Sequence, residues 1–175
     1  MTILPIRVLG DPVLREPCRD VEAFDASLRR LYQDMLETMY DAPGVGLAAP
    51  QVGLSVRFFV YDPSPKDDPH PGAVANPVLS QAVGEQTDEE GCLSVPNVWS
   101  PTTRALRIRV SGRDVDGNPV SLVGEGLEAR IFQHETDHLD ATLFIDRLGD
   151  QDRRRVMAEI RDGELMGRDR WRRRP

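Results

Sequence analysis

The sequence predicts an α+β fold, with mostly antiparallel strands packed around a central helix and a further helix toward each end. Three observations predict it. Apolar residues recur at helical spacing in three separate windows, and strand-like runs lie between those windows. The connections between the runs are too short for the helical crossovers that parallel strands require.

Residues 25–40 form the first helix, because Leu28, Leu31, Met35, Leu36 and Met39 recur at spacings of three and four and make one apolar stripe. Pro43-Gly44 stops it. A glycine-rich segment from Gly44 to Gly53 follows, and residues 55–61 read as a strand. Residues 62–72 hold four prolines and several charges, the composition of a surface loop. Strands at 73–79 and 106–110 flank the Cys92 region. In the second, Leu106, Ile108 and Val110 alternate with Arg107 and Arg109, which predicts one buried and one wet face. Asp116-Gly117 reads as a hairpin turn into a strand at 119–123. A helix over 126–139 follows, and a last one near 151–161 carries Val156, Met157 and Ile160 on one side. With no internal repeat and no linker, the chain divides into a single catalytic domain, 1–150, and a C-terminal helix with a basic tail, 151–175.

A length of 175 residues suits one domain that buries roughly two-thirds of the surface its unfolded chain exposes. The formal net charge of −7 excludes a protein whose whole surface grips nucleic acid or an anionic membrane. The charge is unevenly spread: from Asp150 to Pro175 there are nine Arg against six acidic residues. Two cysteines, Cys18 and Cys92, do not make a disulfide framework. The opening residues, interrupted by Pro5 and Arg7, lack the pattern of an export signal, and no stretch approaches the ~18 apolar residues of a membrane span. A cytoplasmic protein with no membrane partner is expected.

The sharpest motif is His134-Glu135-Thr136-Asp137-His138. On a helix, residues four apart lie one turn above each other, so both imidazoles reach one ion. Glu135 sits about 100° round the helix from His134, beside such an ion and not on it. A divalent ion lowers the pKa of a water it binds toward ~7, and a neighbouring carboxylate takes and returns the proton. Two histidines on a helix are often only surface or core residues. Here two of the chain's three histidines occupy the motif and continue the stripe of Leu127 and Ile131, so they point inward, where a metal would satisfy them. The fold expectation sharpens to antiparallel β-sheets packed around a central metal-binding helix.

A hydrolytic site needs a third protein ligand and one open position. Cys92, His70 and a carboxylate are the candidates. His70 lies in the proline-rich loop, where a rigid ligand is hard to hold, and is expected to be solvated. A lone Cys92 would ordinarily be a small buried hydrophobe, as Cys18 is expected to be. Three functions fit these residues: a mononuclear amide hydrolase, a zinc endopeptidase built on the same helix motif, or a non-catalytic metal-stapled module. The last requires a fourth ligand, and Cys18 or His70 in that place would favour it.

Gly44-Val-Gly-Leu-Ala-Ala-Pro-Gln51, Glu90-Gly-Cys-Leu-Ser94 and Gln133-His-Glu-Thr-Asp-His-Leu139 occur in that order. Together they resemble the three signature motifs of the bacterial peptide deformylase family. Gly10-Asp-Pro-Val-Leu-Arg15 is similar to the family's N-terminal segment, so the likeness covers about residues 4–150. The resemblance implies removal of the formyl group from N-formylmethionine at the start of nascent polypeptides, releasing formate. It implies one divalent ion, Fe2+ in the cell with Zn2+, Ni2+ or Co2+ as substitutes, held by Cys92, His134 and His138. Glu135 then corresponds to the general acid/base. Gln51 and the backbone N–H of Leu93 correspond to the groups that stabilise the oxyanion. Gly46 corresponds to a backbone position that hydrogen-bonds the formamide, and Gly44 with Gly46 lets the backbone approach the small formyl group closely. Val45, Leu93 and the surroundings of Ile131 correspond to the pocket for the methionine side chain. The partners implied are N-formylmethionyl peptides. The Arg-rich tail reads first as a solvated charge run, with docking on the ribosome, as the family's C-terminal helix can, as the alternative; Gly163 and Gly167 oppose a long helix there, and a monomer is expected.

Two residues depart from the family pattern. Ala141 replaces a glycine, at a cost of about 1 kcal/mol if its φ is positive. Arg130 stands where many members have an apolar residue near the methionine pocket; it either points away or narrows substrate preference. Asp137 is expected to be outward or salt-bridged, with no catalytic role, and Glu90 is a candidate partner for one of the ligating imidazoles.

Overall fold

The computed structural model describes residues 2–161. Asp25 caps the first helix, α1 (Ala26–Asp41), by accepting from the N–H groups of Ser27 and Leu28, and Leu28, Met35 and Met39 are its buried stripe. A single antiparallel sheet follows in chain order: β1 (Gly46–Ala48), β2 (Phe58–Tyr61), β3 (Gly72–Cys92), β4 (Val95–Arg113) and β5 (Pro119–Glu125). The second helix, α2 (Leu127–Leu139), lies against it, and α3 (Asp150–Glu159) closes the described fold.

The strand expectations are the ones that change. The separate strands at 73–79 and 106–110 are parts of one long hairpin, β3 and β4, of 21 and 19 residues. The β3 part of the intervening stretch, 80–89, is rich in Glu, Gln, Thr and Asp and lacks the apolar alternation of a half-buried strand, because both its faces are largely exposed; on β4 the buried face is polar, made by Ser100, Thr102 and Arg104. The strand expected from residue 55 begins only at Phe58. On β4, Ile108 and Val110 are buried as the alternation predicts, whereas Leu106 is exposed and packs over the bare backbone of Gly84. On α3, Val156 and Ile160 face inward but Met157 is exposed.

Three apolar clusters form the core. One lies between α2 and the sheet, around Phe59, Tyr61 and Phe132, whose rings meet at 5.0–6.2 Å. Cys18 is buried in it, as expected of a small hydrophobe, and burial pushes its thiol up to about 11. A second joins α1 to β1 and β2. The third packs Val156 and Ile160 of α3 against Val95, Val98, Leu143, Phe144 and Ile145, with Cys92 at its edge. Ala141 has a φ of 59°, so the turn after α2 does demand the left-handed conformation.

Candidate metal centre

Helix α2 lies with its face bearing His134 and His138 turned inward; both rings are buried, and their centroids are 5.0 Å apart. Leu127, expected in the same stripe, is half-exposed at the rim, while Ile131 is buried. The helix is docked by Gln133. Its amide donates to the carbonyls of Ala105 and Ala129 and accepts from the N–H of Ala105, so it pairs with the β4 backbone as another peptide would.

Cys92 comes from the far end of the β3–β4 hairpin. It pairs with Val95 across a turn made by Leu93 and Ser94, and the register slips between Gly91 and Cys92, which re-aims the side chain. Its sulfur lies 3.3 Å from Nε2 of His138 and receives the Ser94 N–H at 3.4 Å and the Gln51 amide at 3.6 Å. One donor atom each from Cys92, His134 and His138 falls within 4.8 Å of the others, the one such cluster among the described residues. Cys18 sits in the core and His70 is exposed beside Asp68, so neither supplies a fourth ligand.

Nδ1 of His134 is paired with Oε1 of Glu90 at 2.7 Å, leaving Nε2 for a cation. Glu90 is itself buried. Burial works against its charge, but hydrogen bonds from His134 and Arg104 hold it ionised well below the usual carboxylate range. Arg104 grips both Glu90 oxygens, at 2.6 and 3.2 Å, and reaches Oδ2 of Asp137 at 2.6 Å. Asp137 is therefore salt-bridged, and it is buried, not outward; Arg147 holds its second oxygen at 2.6 Å. Burial and the neighbouring His134 hold His138 neutral, with its pKa well below the ordinary histidine value, as a ligating imidazole must be. Its Nδ1 has no hydrogen-bond partner among the described residues. The donor set of one sulfur and two imidazoles, with one ring fixed by a carboxylate, fits a single divalent ion.

Glu135 is buried, and burial lifts its carboxyl to about 7 against the opposing influence of His134. Its Oε1 lies so close to β1 that a Cβ on Gly46 would meet it at 2.3 Å. A larger residue there would have to displace the Glu135 carboxylate. At Gly44 a Cβ would meet Leu93 Cδ1 at 3.0 Å, so this glycine admits the Leu93 side chain. The Gln51 amide is oriented from both ends: Oε1 accepts from Ala48 N at 2.8 Å and Nε2 donates to Ser94 Oγ at 3.2 Å. Glu135, Gln51, Cys92 and His134 border a cavity of about 550 Å³ whose wall also includes Gly44, Val45, Gly46, Leu93 and Ile131. Arg130 is in that wall too; it does not point away, and its Nη1 donates to Glu90 at 2.5 Å.

The sequence reading did not single out Arg104 or Ser94. A signal for Arg104 existed: it shares the period-two face of Ile108 and Val110, so an inward cation could be read from the same alternation. The role of Ser94, a contact across 43 residues, left no local trace.

Three protein donors, a buried carboxylate alongside and a cavity against them define a mononuclear metal-dependent hydrolase. The sequence model of polypeptide deformylase matches residues 3–154. A protein of Acidothermus cellulolyticus named peptide deformylase is 50% identical over 167 residues, 95% of this chain and 91% of that one. The crystal structure of peptide deformylase from Thermus thermophilus aligns with a TM-score of 0.85 at 47% identity, covering 91% of this chain and 94% of that one. A peptide deformylase structure from Legionella pneumophila aligns at 0.86 and 41% identity, with 92% and 95% covered. The chain belongs to the polypeptide deformylase family, hydrolases that remove the formyl group from N-formylmethionine at the start of nascent polypeptides and release formate.

Proposed function

We propose that Cys92, His134 and His138 hold the metal of this deformylase and that Glu135, Gln51 and Leu93 carry the reaction. The carrying observation is the convergence of those three donor atoms, with Cys92, His134 and the Glu135 carboxylate at the wall of one cavity. A bound divalent ion supplies Lewis acidity and makes water a nucleophile near neutral pH. We take Fe2+ as the ion in the cell, on family resemblance, since thiolate and imidazole donors alone also accept Zn2+, Ni2+ or Co2+.

The formamide enters edge-on to β1, where the backbone at Gly46 hydrogen-bonds it and Gly44 adds no bulk. Val45, Leu93 and Ile131 receive the methionine side chain. Water attacks the formyl carbon while Glu135 accepts its proton. Negative charge grows on the formyl oxygen, and Nε2 of Gln51 with the N–H of Leu93 meets it as it develops. Glu135 then delivers the proton to the leaving amine, the C–N bond breaks, and formate departs. A carboxyl lifted to about 7 by burial suits a group that must both take and return a proton.

Substrates are N-formylmethionyl peptides. We assign the catalytic domain to 1–150 and a cytoplasmic, monomeric state to the enzyme. Among the described residues no helix is long and apolar enough to cross a membrane. The basic tail proposed to dock on the ribosome lies almost wholly in 162–175, outside the described residues.

Formate release from formyl-Met-Ala-Ser, measured anaerobically with ferrous or nickel-loaded protein, tests the assignment. Glu135→Ala should keep the metal and lose on the order of 10²–10⁴ in rate. Cys92→Ala should lose both. Near-normal turnover by Glu135→Ala would refute the mechanism.

A further inference from the structure

Glu90 orients His134, and something must in turn orient Glu90. Its carboxylate has two buried cations on it. Arg104 spreads over both oxygens and is shared with Asp137. Arg130 acts on one oxygen only: Nη1 donates to Oε2 at 2.5 Å and to the carbonyl of Thr102 at 2.9 Å. Oε2 is the oxygen His134 does not use, since the ring takes Oε1. Arg130 also stands four residues before His134 on α2, on the same helical face, and its side chain is 7% exposed. Its Nη2 makes no hydrogen bond among the described residues and has only the exposed Asp88 at 3.7 Å. The guanidinium is therefore held chiefly by the Nη1 hydrogen bonds, between Glu90 and a strand carbonyl.

We propose that Arg130, resting on the metal-site reading above, is a positioning residue that locks the Glu90 carboxylate through Oε2 so that Oε1 holds the His134 ring with Nε2 facing the ion. Three features support this over a simple wall of the cavity. A long cation buried beside an apolar pocket is costly unless its charge is used, and here it is directed at the one carboxylate that contacts a ligand. Its donation to Oε2 leaves Oε1 to its other two donors, so ring and cation do not compete. The Thr102 carbonyl ties the guanidinium to β4, so Glu90 is held from β4 as well as through the helix it must orient.

Oxygen acceptors behind metal-bound histidines contribute tenfold to a hundredfold in metal affinity, and Arg130 should control part of that effect. Co2+ is the probe, through its thiolate charge-transfer band and its ligand-field absorption, titrated into metal-free protein. Arg130→Met keeps the side chain's length and removes its donors. It should weaken Co2+ binding roughly tenfold, alter the ligand-field spectrum, and lower kcat more than it raises KM. Arg130→Lys, which keeps a cation able to reach Oε2, should recover much of the affinity. In a Glu90→Gln background, Arg130→Met should add little, because the group it acts through is already altered.

Wild-type Co2+ affinity and spectrum in Arg130→Met, with only KM changed, would overturn the proposal and leave Arg130 a wall of the methionine pocket. A lower thermal midpoint with an unchanged spectrum would overturn it in favour of a purely structural role. Should Arg130→Met fail to fold, an unchanged Co2+ affinity and spectrum in Arg130→Lys with full additivity over Glu90→Gln would count against it equally. A wild-type chain with no thiolate band would instead overturn the metal assignment itself.

Discussion

Helix α2 and the Cys92 turn deliver ligands to the same point; both rest on apolar packing, but the helix carries a buried ionic network that the turn lacks. On α2 polar contacts are added to the buried face of Ile131, Phe132 and Leu139: Asp137 lies between Arg104 and Arg147, Glu90 pairs with His134, and Gln133 pairs with the β4 backbone. Behind Cys92 the contacts are apolar: Val95 and Val98 of the hairpin rest on Phe144, Ile145 and Leu148, with Val156 and Ile160 of α3 beneath. The helix has its two ligands preset by its own periodicity and needs only orientation. The turn has no such internal ruler, so its thiol is placed by whatever packs underneath. Helix α3 is thus a prop of the metal centre and not merely the root of a tail.

That difference sets the expected sizes of perturbation. Deleting the chain from Asp150 onward removes two buried side chains from beneath the turn, each contributing about 1.5–3 kcal/mol. Unfolding in urea should therefore show a loss of about 3–6 kcal/mol, and Co2+ affinity should fall with it. A deletion beginning after Arg161 should leave both unchanged, and only that truncation tests the proposed docking of the tail on ribosomes without disturbing α3. Equal behaviour of the two truncations would remove the distinction between prop and tail.

On the polar side, Arg104→Ala leaves two buried carboxylates short of a partner. A loss of about 3–5 kcal/mol is expected, with helix content retained in circular dichroism because α2 keeps its own backbone bonds. A loss under about 1 kcal/mol, the range of an exposed pair such as Arg29–Asp116, would show that solvent reaches this network.

The two cysteines extend the contrast. Cys18 is held neutral by burial, with its pKa lifted from an ordinary 9.0 to about 11. A thiol whose folded pKa lies above its unfolded one stabilises below the unfolded value and loses that contribution as pH rises toward the folded one. Wild type should therefore lose stability relative to Cys18→Ala between pH 9.0 and about 11, and show no such trend below. Urea midpoints at the two ends of that range read it directly, and parallel curves would contradict it.

The smallest effect belongs to the turn leaving α2. Ala141→Gly should raise the thermal midpoint by the equivalent of about 1 kcal/mol without altering turnover, because φ there is 59°. A destabilised variant would mean that the Ala141 methyl contributes packing that outweighs its backbone strain.

How much of this was legible beforehand follows the same division. The helices, the turn at Asp116-Gly117 and the metal motif are local, so periodicity and turn chemistry expose them in the sequence, whereas the left-handed cost at Ala141 shows only against the family's glycine. The reach of the β3–β4 hairpin is not: between Gln81 and Glu89 the strand is stabilised by cross-strand pairing such as Thr87 with Thr103, not by a buried face, and it looks like loop. The Glu90–Arg104–Asp137–Arg147 chain joins residues 10 to 33 positions apart, and only the fold brings them together. His70 could be set aside from its proline-rich loop, but Cys92 could be raised above a small buried hydrophobe only because three motifs appear in family order; its own neighbours say little about where its sulfur points.

X-ray absorption at the metal edge of nickel-loaded protein decides the main point. One sulfur and two imidazole scatterers per ion are expected, with the sulfur lost in Cys92→Ser and kept in Cys18→Ser. A first shell without sulfur, or a sulfur that survives Cys92→Ser, would contradict the assignment.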